Sequence, residues 1–140
     1  MSEFKILVCV DGSDEALKAA RLSANFARLN PGSELTLLHV LDDAASHGEV
    51  PDNPIYRERK KAGENILAEA RKIVESEGVS CATRLIVGPI ALEIVRLAER
   101  EGYTMIYTGT RGKSGFKRML VGSVADKIIR YAHCPVTVIR

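Results

Sequence analysis

Nothing at the start of this sequence reads as a targeting signal. MSEFKILVCVDG places Glu3 ahead of an apolar run of about seven residues, with no basic leader and no small-residue cleavage site. Neither export nor membrane insertion is expected. An excess of charge of one sign is also missing: 20 Lys and Arg stand against 18 Asp and Glu, leaving a formal net charge of +2. That balance argues against nucleic acid as the main partner. Cysteine is scarce. Cys9, Cys81 and Cys134 are odd in number, far apart and set in or beside apolar runs, which excludes a disulfide framework and fits small core residues in a reducing cytoplasm. His39, His47 and His133 share no short spacing, so no dedicated metal site is expected. Repeats, linkers and low-complexity tracts are lacking too. Residues 1–140 are read as one domain, since two would each be small for an independent core.

What the sequence does have is an alternation of branched apolar runs with longer stretches of helical period, the signal of a parallel sheet covered by helices. FKILVCV is the first strand, closed by Asp11-Gly12-Ser13. Ser13 is placed to cap a helix whose inner face holds Leu17, Ala20, Ala24 and Ala27. ELTLLHV is the second strand, and from Leu41 the Asp, Gly and Pro of DDAASHGEVPDNP predict a long irregular connection, the expected mobile element. Residues 55–77 form a helix with Ala62, Ile66, Ala70 and Ile73 inward, ended by Gly78. CATRLIV, a helix through Ile90, Ile94, Leu97 and Ala98, and YTMIYTG follow. A last helix carries Val121, Val124, Ala125, Ile128 and Ala132, and PVTVIR is the fifth strand. The expected fold is α/β, a doubly wound five-stranded parallel sheet with helices on both faces. In such sheets ligands bind beyond the carboxyl ends of strands where the strand order reverses. If strands one and four are neighbours, the loops that follow them open on one crevice.

The second of those loops is the segment of most interest. GTRGKSGFKRMLVGS, from Gly109 to Ser123, holds four glycines and four cations and no acid. Gly109, Gly112 and Gly115 let a ligand approach the main chain closely. Gly122-Ser123 sits where a helix begins, so unpaired amides and the positive end of the helix dipole meet an anion there. Arg111, Lys113, Lys117 and Arg118 add a positive field. Asp11, Asp14 and Glu15 give the first turn the opposite sign, so a triphosphate belongs on the late loop. Asp11 suits a ribose hydroxyl or an adenine amino group. The spacing matches neither a P-loop nor a dinucleotide fingerprint.

These residues also carry a resemblance. G-x-x-G, nine residues, then G-[ST] appears as Gly109, Gly112 and, after Lys113 to Val121, Gly122-Ser123. With ILVCVDGS, TLLHV, the turn at Gly88 and GSVADKIIRYAHCPVTVIR, it resembles the universal stress protein family over nearly the whole chain. The resemblance implies a Rossmann-like fold of the adenine nucleotide hydrolase type and an ATP-binding member serving as a stress-response sensor or regulator. It implies Asp11 near ribose and adenine, the main chain of Val40 at the adenine edge, and Gly109, Arg111, Gly112 and Lys113 along the ribose and phosphate channel. Gly122, Ser123 and Val124 would hold the phosphates, with Mg²⁺ as a conceivable companion of ATP. Thr104 stands where the family often has an acid, and the family's proline comes one place after Pro89. Homodimers through the last strand are common in the family, and the exposed alternation of PVTVIR fits that pairing. The protein partner is not identified by these residues.

Rapid hydrolysis needs a positioned base, and no Asp, Glu or His lies between Tyr103 and Ala125. Asp11, Asp42, Asp43 and His47 would have to reach in from other loops, so at most slow ATP turnover is expected. Two other readings of the chain are a nucleotide-independent interaction module and an adenylate-forming or pyrophosphatase-type enzyme. The second needs glycine where VDGSDEA has an acid.

Overall fold

A computed structural model describes residues 4–42, 53–110 and 121–140. Its elements run β1 (Lys5–Cys9), α1 (Asp14–Leu29), β2 (Glu34–Asp42), α2 (Pro54–Ser76), β3 (Ala82–Gly88), α3 (Ile90–Arg100), β4 (Met105–Gly109), α4 (Ser123–Tyr131) and β5 (Val136–Ile139). The five strands form one sheet in the order β3-β2-β1-β4-β5, every pair parallel. The order reverses between β1 and β4, where Leu7 lies opposite Ile106.

Alternation along each strand divides the core in two. Ile6, Val8, Leu35, Leu37 and Tyr107 face the alanine stripe of α1 and the inner face of α2. Leu7, Leu38, Val40 and Ile106 face α3 and α4. Burial of such side chains contributes about 1.5–3 kcal/mol each, which makes the two apolar layers the main source of stability. Ser13 caps α1 as expected, its hydroxyl accepting from the amide of Ala16 at 3.1 Å.

Three local expectations differ from the structure. The last helix spans Ser123–Tyr131, so Val121 precedes it and Ala132 is its C-cap, because the chain begins the helix at the Gly122 cap. Strand β2 runs on to Asp42, because β3 continues beside it until Asp42 pairs with Gly88. The inner face of α2 centres on Gly63, Leu67, Ala70 and Val74, with Ile66 packed partly against the core at its border; Ala70 and Ile66 were expected there, whereas Ala62 is exposed and Ile73 gives way to Val74. Gly63 sets that rotation: a Cβ there would lie 2.7 Å from His39 Cδ2 and 2.8 Å from Leu85 Cδ1, so the helix presses its bare backbone onto the sheet. Mid-helix glycine costs about 1 kcal/mol relative to alanine, and close approach is what it offers here.

Candidate functional site

The sheet leaves a gap above the carboxyl end of β1, between β2 and β4. Asp11 and Gly12 leave β1 in a tight turn, with Gly12 at φ 89. The amide of Ser13 donates to Asp11 Oδ1 at 2.9 Å. One carboxylate oxygen therefore holds the turn, and the group keeps further acceptor capacity for a ligand. Below it, burial and then the charge of Asp11 push the Cys9 thiol up to about 12. Cys9 is thus a neutral packing group at physiological pH rather than a nucleophile.

On the β2 side of the gap lies Val40. Its side chain is 7% exposed and belongs to the core under α3 and α4. Its main chain has another direction. Glu34 N donates to Phe4 O and Val10 N donates to Leu38 O, both at 2.9 Å, so the even-numbered residues of β2 turn their peptide groups towards β1. At Val40 the strand they would meet has ended.

On the β4 side, Gly109 is explained by packing. An added Cβ would lie 2.9 Å from Glu15 Cβ and 3.4 Å from Ala16 N, so the first turn of α1 rests directly on the end of β4. This contact sets the start of α1 against the end of β4, as the paired strands require. Thr110 follows, a residue that the pattern of glycines and cations overlooks. Its amide donates to Ile139 O at 2.8 Å and its carbonyl accepts from Gly122 N at 2.5 Å, tying β4, β5 and the start of α4. Its Oγ1 is buried, in a residue 3% exposed, and has no hydrogen-bond partner among the described residues. The signal that finds it is a hydroxyl placed directly after an apolar strand, at the mouth of a loop.

Gly122 caps α4 at φ −73 and ψ 167 without a side-chain cap. Because its own N–H is given to Thr110, the amides left for an anion are those of Ser123, Val124 and Ala125, which have no acceptor within the helix. Asp126 N closes the first helical turn on Gly122 O at 2.9 Å. The carboxylate of Asp126 is answered by Arg130 Nε at 3.0 Å, which softens the only acid in that turn. Asp11, Val40, Gly109, Gly122, Ser123 and Val124 are therefore all at the carboxyl ends of the central strands or on the helix that follows. Arg111, Gly112 and Lys113 lie outside the described residues, as do Gly115, Lys117, Arg118, Asp43 and His47. Among the described residues no three His, Cys, Asp or Glu side chains group as a metal centre would need, and no helix is long and apolar enough to cross a membrane.

Comparison with known proteins agrees with this architecture. The sequence matches the Universal stress protein family over residues 4–140. Universal stress protein MJ0531 of Methanocaldococcus jannaschii is 36% identical over 139 residues, covering 97% of this chain and 81% of the relative. The solved structure of the hypothetical protein MJ0577 is similar with a TM-score of 0.86 at 31% identity, over 99% of this chain and 96% of the other. A universal stress protein from Archaeoglobus fulgidus, solved in complex with dAMP, is similar with a TM-score of 0.75 at 28% identity, over 100% of both chains.

Proposed function

This chain belongs to the universal stress protein family, and from that premise we propose that it binds an adenine nucleotide, ATP with or without Mg²⁺, as a cytoplasmic sensor or regulator of the stress response. The observation that carries the reading is the first turn of α4, which has no side-chain cap, beside the buried hydroxyl of Thr110, which has no hydrogen-bond partner among the described residues, at the point where the strand order reverses. Amides without acceptors at a helix start, joined by a desolvated hydroxyl, match phosphate oxygens in number and in charge. Asp11 and the main chain of Val40 supply acceptors and a donor for the nucleoside end. The dAMP held by the Archaeoglobus relative supports the ligand class.

In this reading Gly109 lets the first turn of α1 rest on the end of β4 beside the ligand, Gly112 leaves room along the main chain, and Arg111 and Lys113 bring charge to the phosphates. Gly122 keeps the seat open, and Ser123 and Val124 present its amides. When bound, Mg²⁺ would neutralise part of the triphosphate charge. The acids of the α1 first turn orient the phosphates away from β1, towards α4. With few bases near the seat, the cycle is one of binding and release, with slow turnover at most.

The test is a calorimetric titration of the full chain with ATP and adenosine, beside Gly122→Val. At φ −73 and ψ 167 the backbone of residue 122 accepts a side chain, so the variant folds, while the branched group stands in the seat. ATP binding is expected to be lost. Unchanged affinity with an unaltered melting profile would overturn the seat. Wild-type protein that is empty on acid extraction and without affinity for added ATP would return the chain to an interaction module.

A further inference from the structure

We infer that His39 is the positioning residue of the nucleoside end: its imidazole fixes the peptide from which Asp11 departs. The inference rests on the nucleotide-binding reading above. The paired register of β1 and β2 ends at Cys9 opposite Leu38. Val10 still donates to Leu38 O at 2.9 Å, but its carbonyl meets His39 Nδ1 at 2.7 Å. A carbonyl only accepts, so Nδ1 carries the proton and the tautomer is set by the contact. A side chain thus stands at the place of the next rung of the ladder. Val10 is held on both its polar groups, and the chain turns out of the sheet at the residue that follows, Asp11.

The imidazole is itself confined. It projects from β2 onto the face covered by α2, where Gly63 leaves the space it fills: a Cβ there would stand 2.7 Å from Cδ2 and 3.3 Å from Nε2. Arg59, one turn earlier in α2, donates Nη1 to Asp42 O at 3.2 Å and fixes the helix against the end of β2. Position of α2, orientation of His39 and direction of the Asp11 turn form one chain of contacts. The bond between Asp11 Oδ1 and Ser13 N completes it by locking the carboxylate to the turn.

The test is a titration of the full chain with ATP and with adenosine in His39→Asn, His39→Gln, His39→Leu, Asp11→Ala and the Asp11→Ala/His39→Leu double variant. Asparagine places its amide nitrogen where Nδ1 stands, and glutamine places it where Nε2 stands. His39→Asn is expected to bind within about threefold of wild type, while His39→Gln and His39→Leu weaken ATP and adenosine alike by about tenfold, the worth of one well-made hydrogen bond. In the Asp11→Ala background, His39→Leu is expected to cost nothing further, since it acts through Asp11. Wild-type affinity in the Gln variant, an Asn variant as weak as the Gln one, or a full loss in the Asp11→Ala background would overturn the inference and leave nucleotide binding standing. If His39→Leu fails to fold, the contrast of Asn with Gln decides alone. A wild-type chain that takes neither ATP nor adenosine would overturn both readings together.

Discussion

Thr110 holds a buried hydroxyl that has no hydrogen-bond partner among the described residues. A buried, unsatisfied hydroxyl costs about 1–3 kcal/mol, and removing it with its shape preserved relieves that cost. Thr110→Val keeps the branched volume and both backbone bonds to Ile139 and Gly122, which involve only the main chain. The variant is therefore expected to be more stable than wild type by about 1 kcal/mol in urea unfolding. Its affinity for ATP is expected to fall about tenfold, with adenosine unaffected, because the hydroxyl would face phosphate. Opposite signs for stability and binding are the mark of a group kept for a ligand. A variant that loses stability instead would show that Oγ1 has a structural partner. The sequence motif did not reveal this residue, because it records where glycines stand and says nothing of which polar atoms remain unpaired. The motif did mark Gly122, but not that its amide is given to Thr110, which leaves the amides of the next three residues without an acceptor in the helix.

At the scale of elements, α1 and α2 are joined at one end by Glu77. Arg21 Nη1 approaches its Oε1 at 2.6 Å and Arg28 Nη1 its Oε2 at 3.1 Å. The hydrogen bond from Arg21, then that from Arg28, hold the Glu77 carboxyl below the usual carboxylate range. A pKa lower in the folded than in the unfolded state adds stability that is complete above the unfolded value and disappears as pH falls through the folded one. Glu77→Gln is expected to lower the urea midpoint at pH 7, and the gap to wild type is expected to close as pH falls through and below the ordinary carboxylate range. A gap that is constant with pH would assign the effect to packing and hydrogen bonding rather than to charge. The helices themselves were legible in the sequence: Ser13, Gly78 and the alanine stripe of α1 mark caps and faces by local chemistry. The face of α2 was not. Ala62 and Ile73 have the right spacing beside Ile66 and Ala70, but the rotation depends on Gly63 meeting His39 and Leu85, and a glycine adds nothing to a count of apolar side chains. The extra residues of β2 were hidden likewise, since they follow from where β3 lies.

For the whole molecule, strand order was legible only as a condition: alternating strands and helices imply a parallel sheet, while adjacency of β1 and β4 is a long-range fact. Once it holds, the end of β4, the start of α4, the Asp11 turn and the end of β2 share one end of the sheet. The same topology leaves β5 at an edge, paired on one side to β4. There the direction of each peptide group can be read off. Ile106 N donates to Pro135 O at 3.0 Å and Thr110 N to Ile139 O at 2.8 Å, so the odd-numbered residues of β5 face β4 and Val136 and Val138 turn their peptide groups outward. A row left unpaired among the described residues is a template for a second copy, which is how the homodimer through the last strand would form. Proline at an outward position removes an edge donor while sparing the ladder. Val138→Pro is accordingly expected to fold and bind ATP but to run as a monomer in light scattering at micromolar concentration, where wild type runs as a dimer. Thr137→Pro, one residue away, removes an inward donor and is expected to detach β5 from β4 and lower the melting temperature. A Val138→Pro protein that is still dimeric would move the interface away from β5. A monomeric wild type would remove the dimer altogether.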